Sequence, residues 1–314
     1  MKISLIIPCY NEEESLNPLY DELKRVTSSM PSYDFEMIFV DDGSKDKTLS
    51  ILKDFAAQDE RITYISFSRN FGKEAAMYAG FCNATGDYTA VMDADMQHPP
   101  SLIPEMARIL ESGEYDSVAA RRTTRKGESK IRSFFSRTFY KVMNKISDAR
   151  MEQNATDFRL MRREMVDAII AMSESNRFSK GIFGWVGFKT YWLPYENVER
   201  VAGTTKWSFR GLLKYSIEGI TNFSNAPLKL ATWFGSLFTL CGFAALAYML
   251  IYGAIMGNFI AQWVIIVTAI LFAGGIQLFC LGIIGQYIAK MYKEVKNRPH
   301  YIVSQTNKQN IVRK

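Results

Sequence analysis

The first 120 residues alternate between short apolar runs and stretches with the period of amphipathic helices. The apolar runs, at residues 3–7, 36–40, 62–67, 88–92 and 117–120, predict strands. The helical patterns lie between them, at residues 13–27, 47–58, 73–84 and 102–111. This alternation predicts an α/β fold with a mainly parallel sheet. Asn11 and Glu14 have the spacing of an N-cap and its N3 partner, and they predict the start of the first helix.

A different pattern begins at Leu230, since no Asp, Glu, Lys or Arg occurs from there to Ala289. Two apolar arms, 227–256 and 263–289, flank a short and weakly polar link, and each is longer than the ~20 residues that cross a bilayer. They predict a two-helix transmembrane hairpin, and the alternative is a buried helical hairpin of a soluble protein. Lys and Arg lie only beyond its outer ends, so the positive-inside rule predicts that the preceding domain and both termini are cytoplasmic.

Charge and cysteine content narrow the class of protein. The first 120 residues are net acidic and residues 121–229 are net basic. A hydrophobic content of 48% excludes a disordered chain, and four cysteines without regular spacing exclude a disulfide scaffold. An acidic part favours cation binding, and a basic part beside an apolar hairpin favours anionic lipid. Nucleic acid is the competing partner, but the sequence contains no zinc-finger, RNP or KH motif.

Polar residues follow each of the first four predicted strands, at 8–12, 41–44, 68–73 and 93–100. Because ligands of parallel sheets bind beyond the carboxyl ends of the strands, we expect these segments to form one site. Asp93 and Asp95 stand two residues apart, and paired carboxylates suit Mg²⁺ or Mn²⁺ that also binds phosphates. A Gly-rich dinucleotide fingerprint and a P-loop motif are both missing, which argues against dehydrogenases and P-loop NTPases.

The four segments contain Pro8-Cys9-Tyr10-Asn11-Glu12, Asp41-Asp42-Gly43-Ser44, Asn70-Phe71-Gly72-Lys73 and Asp93-Ala94-Asp95-Met96-Gln97-His98-Pro99-Pro100. This set resembles the inverting GT-A glycosyltransferases. Thr156-Asp157-Phe158-Arg159, Gly203-Thr204-Thr205-Lys206-Trp207 and the apolar hairpin are similar to the polyisoprenyl-phosphate branch of that family, which includes bactoprenol glucosyltransferases and dolichol-phosphate mannosyltransferases. With the patterns above, the resemblance divides the chain into a cytosolic GT-A catalytic domain (1–205), an interfacial amphipathic helix region (206–226), two transmembrane helices (227–289) and a basic cytoplasmic tail (290–314).

The resemblance also implies roles for individual residues. The implied nucleotide-binding residues are Pro8, Tyr10, Glu12, Asp41, Asp42, Lys73, Asp93 and Ala94. The implied ligands of Mg²⁺ or Mn²⁺ are Asp93, Asp95 and Gln97, and the implied catalytic residues are Asp95 and Asp157. Two alternatives stay open, because Asp41-Asp42-Gly43-Ser44 is also a favourable turn and helix cap, and His98 before two prolines suits a structural role.

An acceptor phosphate needs cations, and the net basic region supplies them. The candidates are Arg121, Arg122, Arg200 and Lys206. Arginine suits this task because its planar fork pairs with two phosphate oxygens. Residues 207–224 combine aromatic and aliphatic side chains with Arg210 and Lys214, a mixture typical of a membrane-surface helix. The alternative for Arg121 is a solvated loop.

Asp157 resembles the position of the catalytic base in the family, although the need for a base is limited. A phosphate monoester has a second pKa near 6, so it is largely a dianion and already a nucleophile at neutral pH. Asp157 therefore either orients the acceptor or takes up a residual proton. The alternative is an ion pair with Arg159 or with another residue of the net basic region. If Asp157 acts as a base, replacing its carboxylate should lower the rate of transfer more strongly as the pH falls. Because Asp157 lies far from the nucleotide motifs in sequence, we expect donor binding to survive its replacement.

The implied reaction transfers one hexose, with UDP-glucose as first choice of donor, to undecaprenyl phosphate with inversion. The product would be a polyisoprenyl-phosphate sugar for cell-envelope glycan modification. UDP-N-acetylglucosamine, UDP-galactose, a modified pentose and GDP-mannose stay open as sources of the sugar. A membrane-anchored nucleotide-sugar sensor and a lipid-sugar translocase are the other hypotheses, and the carboxylates and the small number of helices argue against them. Glycines in the second arm make a homo-oligomer an open alternative.

Overall fold

The computed structural model describes residues 1–123, 144, 152, 155–196, 224, 226–256 and 262–312. The chain divides into two compact units, of which the first comprises residues 1–219 with 298–314 and the second residues 220–297. Most of the predicted interfacial helix region, 206–226, lies outside the described residues.

The first unit is built on a sheet of eight described strands with helices between them. The strands are β1 (Lys2–Cys9), β2 (Asp34–Asp41), β3 (Ile62–Phe67), β4 (Tyr88–Val91), β5 (Ser117–Arg122), β6 (Ala155–Arg162), β7 (Thr190–Tyr195) and β8 (Val303–Thr306). The helices are α1 (Leu16–Ser28), α2 (Thr48–Gln58), α3 (Lys73–Asn83), α4 (Ile103–Glu111), α5 (Arg163–Ala171) and α6 (Ser179–Trp185), with a 3₁₀ turn at Pro100–Leu102. The predicted α/β class is confirmed.

The strand order is β7-β5-β6-β4-β1-β2-β3-β8. Neighbouring pairs among β1 to β4 are parallel, as is the pair β5–β7, whereas β6 and β8 run antiparallel to their neighbours. The carboxyl ends of six strands therefore meet at one edge, and the two antiparallel strands begin there. Loops from eight strand ends converge on that edge.

The start of α1 differs from the sequence prediction. The helix begins at Leu16 with Ser15 as its N-cap residue, so the prediction of Asn11 and Glu14 as a capping pair is wrong. Asn11 has a φ of 54°, in the left-handed region that Asn tolerates better than most residues. Its side-chain oxygen accepts a hydrogen bond from the Lys45 backbone N–H at 2.8 Å, which joins two strand-end loops instead of capping the helix.

The end of the chain returns to the sheet. Strand β8 pairs antiparallel with β3 and covers the edge that β3 would otherwise expose. Tyr301, just before β8, is 2% exposed and stacks on Phe67 with ring centroids 4.9 Å apart. Ser68 donates its backbone N–H to the Ile302 carbonyl at 2.9 Å. The charge pattern predicted only a basic tail in this segment, and the strand was not predicted.

The second unit contains two long helices, α7 (Ala226–Met256) and α8 (Gln262–Val295). The Phe238 and Phe272 rings meet edge to face at 5.0 Å, and Tyr287 donates its hydroxyl to the Ser224 carbonyl at 2.7 Å. Ser224 precedes Phe238 in the chain, whereas its partner Tyr287 follows Phe272. The two helices are therefore antiparallel. By length and composition, Ala226–Ala245 and Phe272–Val295 can each cross a membrane.

Candidate active site

The loops after β1 and β2 are joined by hydrogen bonds. The backbone N–H of Asn11 donates to Ser44 Oγ, and that of Glu12 donates to Thr48 Oγ1, both at 2.9 Å. Pro8 and Tyr10, with Glu12, are half-buried at this edge of the sheet. The residues predicted to hold the base and ribose therefore lie together on a fixed double loop.

Asp41 is held inside the fold. Its Oδ2 accepts a hydrogen bond from Ser66 Oγ at 2.7 Å, and its Oδ1 accepts the Ser44 backbone N–H at 3.0 Å. The side chain is 1% exposed. These contacts are those of the turn alternative, and nucleotide contact by Asp41 remains a prediction.

Asp42 fastens the loop after β3. Its two oxygens accept the backbone N–H groups of Phe71 at 2.6 Å and of Gly72 at 2.9 Å. Burial raises the pKa of Asp42 to about 6, although these two hydrogen bonds act to lower it. Gly43 permits the close approach, since its φ is +68° and an added Cβ would lie 2.5 Å from the Arg69 carbonyl carbon. The Asp42 carboxylate therefore sets the position of Lys73, the next residue after Gly72.

Lys73 links two carboxylates from different parts of the chain. Its Nζ lies 2.6 Å from Asp93 Oδ1 and 2.6 Å from Asp157 Oδ2. Burial acts to lower the pKa of Lys73, but the two carboxylates outweigh burial and raise it overall. Burial likewise acts to raise the pKa of Asp93 and of Asp157, but Lys73 and other nearby groups together outweigh it, so both pKa values lie below the ordinary value. All three groups are charged at neutral pH.

The order of the strands explains why Asp157 lies here. Strand β6 runs antiparallel beside β4, with Val91 opposite Arg159, so the start of β6 adjoins the end of β4. Asp157 is far from the nucleotide motifs in sequence but lies beside them in space, because Lys73 joins it to Asp93. The contact between Lys73 and Asp157 was not predicted, because the two residues are far apart in sequence and β6 was not recognised as a strand.

The loop after β4 carries the predicted metal ligands. Asp95 Oδ1 accepts the Gln97 backbone N–H at 3.1 Å, and Met96 between them has a φ of 61°. Gln97 Oε1 accepts a hydrogen bond from Arg122 Nη2 at 3.1 Å. Ala94 is buried. Among the described residues, no three or more His, Cys, Asp or Glu side chains cluster so that they could hold a metal ion by themselves.

His98 has the surroundings of a structural residue. It is 3% exposed, and its ring stacks on Phe158 with centroids 5.5 Å apart. Its Nδ1 accepts the Asp93 backbone N–H at 3.3 Å. Burial lowers the pKa of His98, which favours the neutral ring. The histidine thus shapes the loop that presents Asp93.

The predicted acceptor cations are only partly described. Arg121 donates to Glu152 Oε1 at 3.1 Å, and Arg122 donates to Tyr195 Oη at 3.1 Å, both from the end of β5. Arg200 and Lys206 lie outside the described residues. Their roles remain predictions.

Two further cations near Asp157 were missed as site residues by the sequence analysis. Arg159 follows Asp157 by two residues in β6, and Lys180 lies in α6. Both lower the pKa of Asp157 through their charge. A strand with alternating polar and apolar residues at 155–162 was the pattern that could have revealed Arg159.

Comparison with known proteins gives strong matches. The profile of glycosyl transferase family 2 matches residues 4–170. CsbB of Bacillus subtilis (strain 168) is 44% identical over 97% of this chain and 92% of its own length. The prophage bactoprenol glucosyl transferase homolog of Escherichia coli (strain K12) is 41% identical over 98% of this chain and all of its own length. The SfII prophage-derived bactoprenol glucosyl transferase of Shigella flexneri is 40% identical over 99% of this chain.

A solved structure resembles the chain more distantly. Glucosyl-3-phosphoglycerate synthase from Mycobacterium tuberculosis, with Mn²⁺, UDP-glucose and phosphoglyceric acid, matches 70% of this chain and 77% of its own at 18% identity and a TM-score of 0.47. A likeness this distant does not extend to the ligands of the present chain.

Proposed function

Because this chain belongs to glycosyl transferase family 2, we propose that it transfers a hexose from UDP-glucose to undecaprenyl phosphate with inversion at the anomeric carbon. The names of two relatives, at 40% and 41% identity over nearly the whole chain, support the glucose and the polyprenyl acceptor. The product would be a lipid-linked sugar for modification of a cell-envelope glycan.

One observation carries this proposal: Lys73 joins Asp93, in the loop predicted for the donor, to Asp157, predicted to act on the acceptor. A transferase must bring donor and acceptor to one point. Here one ammonium group sets the separation of the two carboxylates. A sensor that only binds nucleotide sugar has no need of Asp157 on the acceptor side.

The loop after β4 fits Mg²⁺ or Mn²⁺ on the chemistry of its side chains. Asp93 and Asp95 offer carboxylate oxygens, which are the ligands these ions prefer, and Gln97 offers an amide oxygen. Since the described residues hold no larger cluster, the diphosphate of the donor would complete the coordination. When bound, such an ion offsets the negative charge that builds on the leaving nucleotide diphosphate.

Asp157 acts mainly by position in this proposal. Burial would raise its pKa, but the nearby Lys73, Lys180 and Arg159 hold it well below the ordinary value, so the carboxylate is a weak base. The dianionic acceptor phosphate needs no proton removed. Asp157 holds Lys73 and so fixes the start of β6 relative to the donor loop.

The proposed location is the membrane, with the catalytic domain and both termini in the cytoplasm. The pairing of β8 with β3 supports this topology. A chain that leaves a folded sheet, crosses a membrane and returns to the same sheet must cross an even number of times, and α7 and α8 supply two crossings. A C-terminal tag should resist protease added outside intact cells, and its digestion there would contradict the topology.

The test of the function is transfer of radiolabelled sugar to undecaprenyl phosphate by the purified full chain, with Mg²⁺ or Mn²⁺. A panel of UDP-glucose, UDP-N-acetylglucosamine, UDP-galactose and GDP-mannose identifies the donor, and UDP-glucose should give the highest rate. Asp95→Asn should abolish transfer and metal-dependent UDP binding, whereas Asp54→Asn, on the exposed side of α2, should match wild type. Full transfer in EDTA would reject the metal, and no transfer from any donor would reject the function.

A further inference from the structure

A cavity of about 260 Å³ lies in the first unit between α6 and the sheet. Its lining includes Arg159 from β6, Lys180 and Phe183 from α6, Trp192 from β7, and Glu152. Register places Arg159 and Trp192 on the same face of the sheet, since both are opposite Ala119. Arg159 and Lys180 both act on Asp157 through their charge, so the cavity adjoins the carboxylate cluster.

Arg159 is a buried cation without a full set of partners. It is 3% exposed, and its guanidinium carbon lies 3.6 Å from the centre of the Phe183 ring. One Nη donates to the Thr156 carbonyl at 3.5 Å, and within the described part of the chain its Nε has no hydrogen-bond partner. Burial lowers the pKa of Arg159 to about 10, so the guanidinium still carries its charge at neutral pH. A buried unpaired N–H is costly, and a ligand is a common explanation for one.

The charges around the cavity favour an anion. Lys180 adds a second cation to the lining. The carboxylate of Glu152 is engaged by Arg121 at 3.1 Å, and that of Asp157 by Lys73 at 2.6 Å. These two carboxylates therefore already have a counter-charge, while Arg159 and Lys180 line the cavity together.

We propose that Arg159 and Lys180 bind the phosphate group of the acceptor in this cavity. The inference rests on the proposed function and adds binding residues to it. A phosphate monoester offers enough oxygens to meet the free Nε of Arg159 and the ammonium of Lys180 at once. The donor diphosphate is the less suitable occupant, because the residues predicted to bind it belong to β1 to β4 and the segments that follow them, whereas the cavity is lined from β6 and β7. The aromatic walls suit the first carbons of a lipid chain.

The experiment measures equilibrium binding to the full chain in detergent micelles, with geranyl phosphate, geraniol, inorganic phosphate and UDP-glucose as probes. Lys180→Met is the main variant, because Lys180 is half-buried and its loss does not open the core. Lys53→Met is the matched control, since Lys53 is exposed on α2 and is not among the residues that line the cavity. Arg159→Met is a second variant, used if its thermal unfolding shows that it folds.

Lys180→Met should weaken geranyl phosphate binding at least about tenfold, equivalent to about 1.4 kcal/mol, and leave UDP-glucose binding unchanged. Geraniol should bind poorly to every variant, and the control should match wild type. Unchanged binding of geranyl phosphate in Lys180→Met would overturn the proposal. So would a loss confined to UDP-glucose, or inorganic phosphate binding as tightly as geranyl phosphate, which would indicate an anion from solution.

This measurement does not depend on sugar transfer. If geranyl phosphate binding requires Lys180 but no donor yields product, the proposed function fails and the phosphate site stands. If transfer proceeds and Lys180→Met changes neither geranyl phosphate binding nor the KM for undecaprenyl phosphate, the phosphate site fails and the function stands.

Discussion

The ammonium of Lys73 lies 2.6 Å from Asp157 Oδ2, which joins the first residue of α3 to a strand near the middle of the chain. The same ammonium lies 2.6 Å from Asp93. Asp42 fixes the preceding residue, Gly72, through a backbone hydrogen bond of 2.9 Å. The position of Asp157 relative to the donor loop is thus set by a lysine that the sequence motif assigns to nucleotide binding.

Lys73→Met should lower kcat at least about 10²-fold, the effect of losing one preorganised electrostatic group. Burial acts to raise the pKa of Asp93 and Asp157, and Lys73 is the largest opposing influence in both. Without it both pKa values rise, so each carboxylate is ionised only at higher pH. The acidic limb of the kcat profile should therefore move to higher pH, which a pH series on the residual activity would detect.

Lys53→Met, on the exposed side of α2, is the control for loss of a lysine. It should leave both kcat and the pH profile unchanged. A Lys73→Met enzyme with a wild-type acidic limb would show that Lys73 does not govern the two carboxylates.

Strands β1 to β5 were predicted from sequence, whereas β6 to β8 were not. Strands β1 to β4 are apolar runs followed by polar loops, and both features can be recognised in the sequence alone. Strand β6 contains the buried charge of Arg159, which breaks the apolar pattern, and β8 is the polar segment Val303–Thr306. Formation of β8 depends on the free edge of β3 and on the stacking of Tyr301 on Phe67, which are tertiary effects.

The same limit applies within the candidate site. Asp93 and Asp95 stand out by their spacing, but the partner of Asp157 depends on an antiparallel strand order that motifs do not record. Asn11 looked like a helix cap because its spacing to Glu14 fits one, and its side chain instead bonds the Lys45 backbone.

Gly43→Ala should weaken UDP binding as well as the fold. Its φ of +68° strains any residue with a Cβ by about 1 kcal/mol, and the Cβ would lie 2.5 Å from the Arg69 backbone. Gly113→Ala is a matched control, since φ is +76° there and nothing lies within 4 Å of an added Cβ. Both should lose stability in thermal unfolding, but only Gly43→Ala should lose UDP affinity. Equal UDP affinity in the two variants would contradict the close approach.

Tyr301→Ala tests the return of the chain to the sheet. Tyr301 is 2% exposed against Phe67, so its truncation should cost about 3 kcal/mol of unfolding free energy. Ile302→Ala is the control, because Ile302 is 54% exposed and its carbonyl, which accepts the Ser68 N–H, is retained. Denaturant unfolding of the detergent-solubilised chain measures both. Similar stability of the two variants would show that β8 is not anchored by Tyr301.

Asp157→Asn should lower kcat by about 10²-fold through misplacement, by nearly the same factor from about pH 5.5 to 8.5. The pKa of Asp157 lies well below its ordinary value, so the carboxylate is ionised throughout this window. A proton passes unfavourably from an acceptor with a pKa near 6 to so weak a base, even at the acidic end. Lys73 would lose a partner beside Asp93, so metal-dependent UDP-sugar binding should change as well. Asp167→Asn, an exposed residue paired with Arg163, is the control. A loss that grows steadily toward pH 5.5 would instead restore Asp157 as a general base.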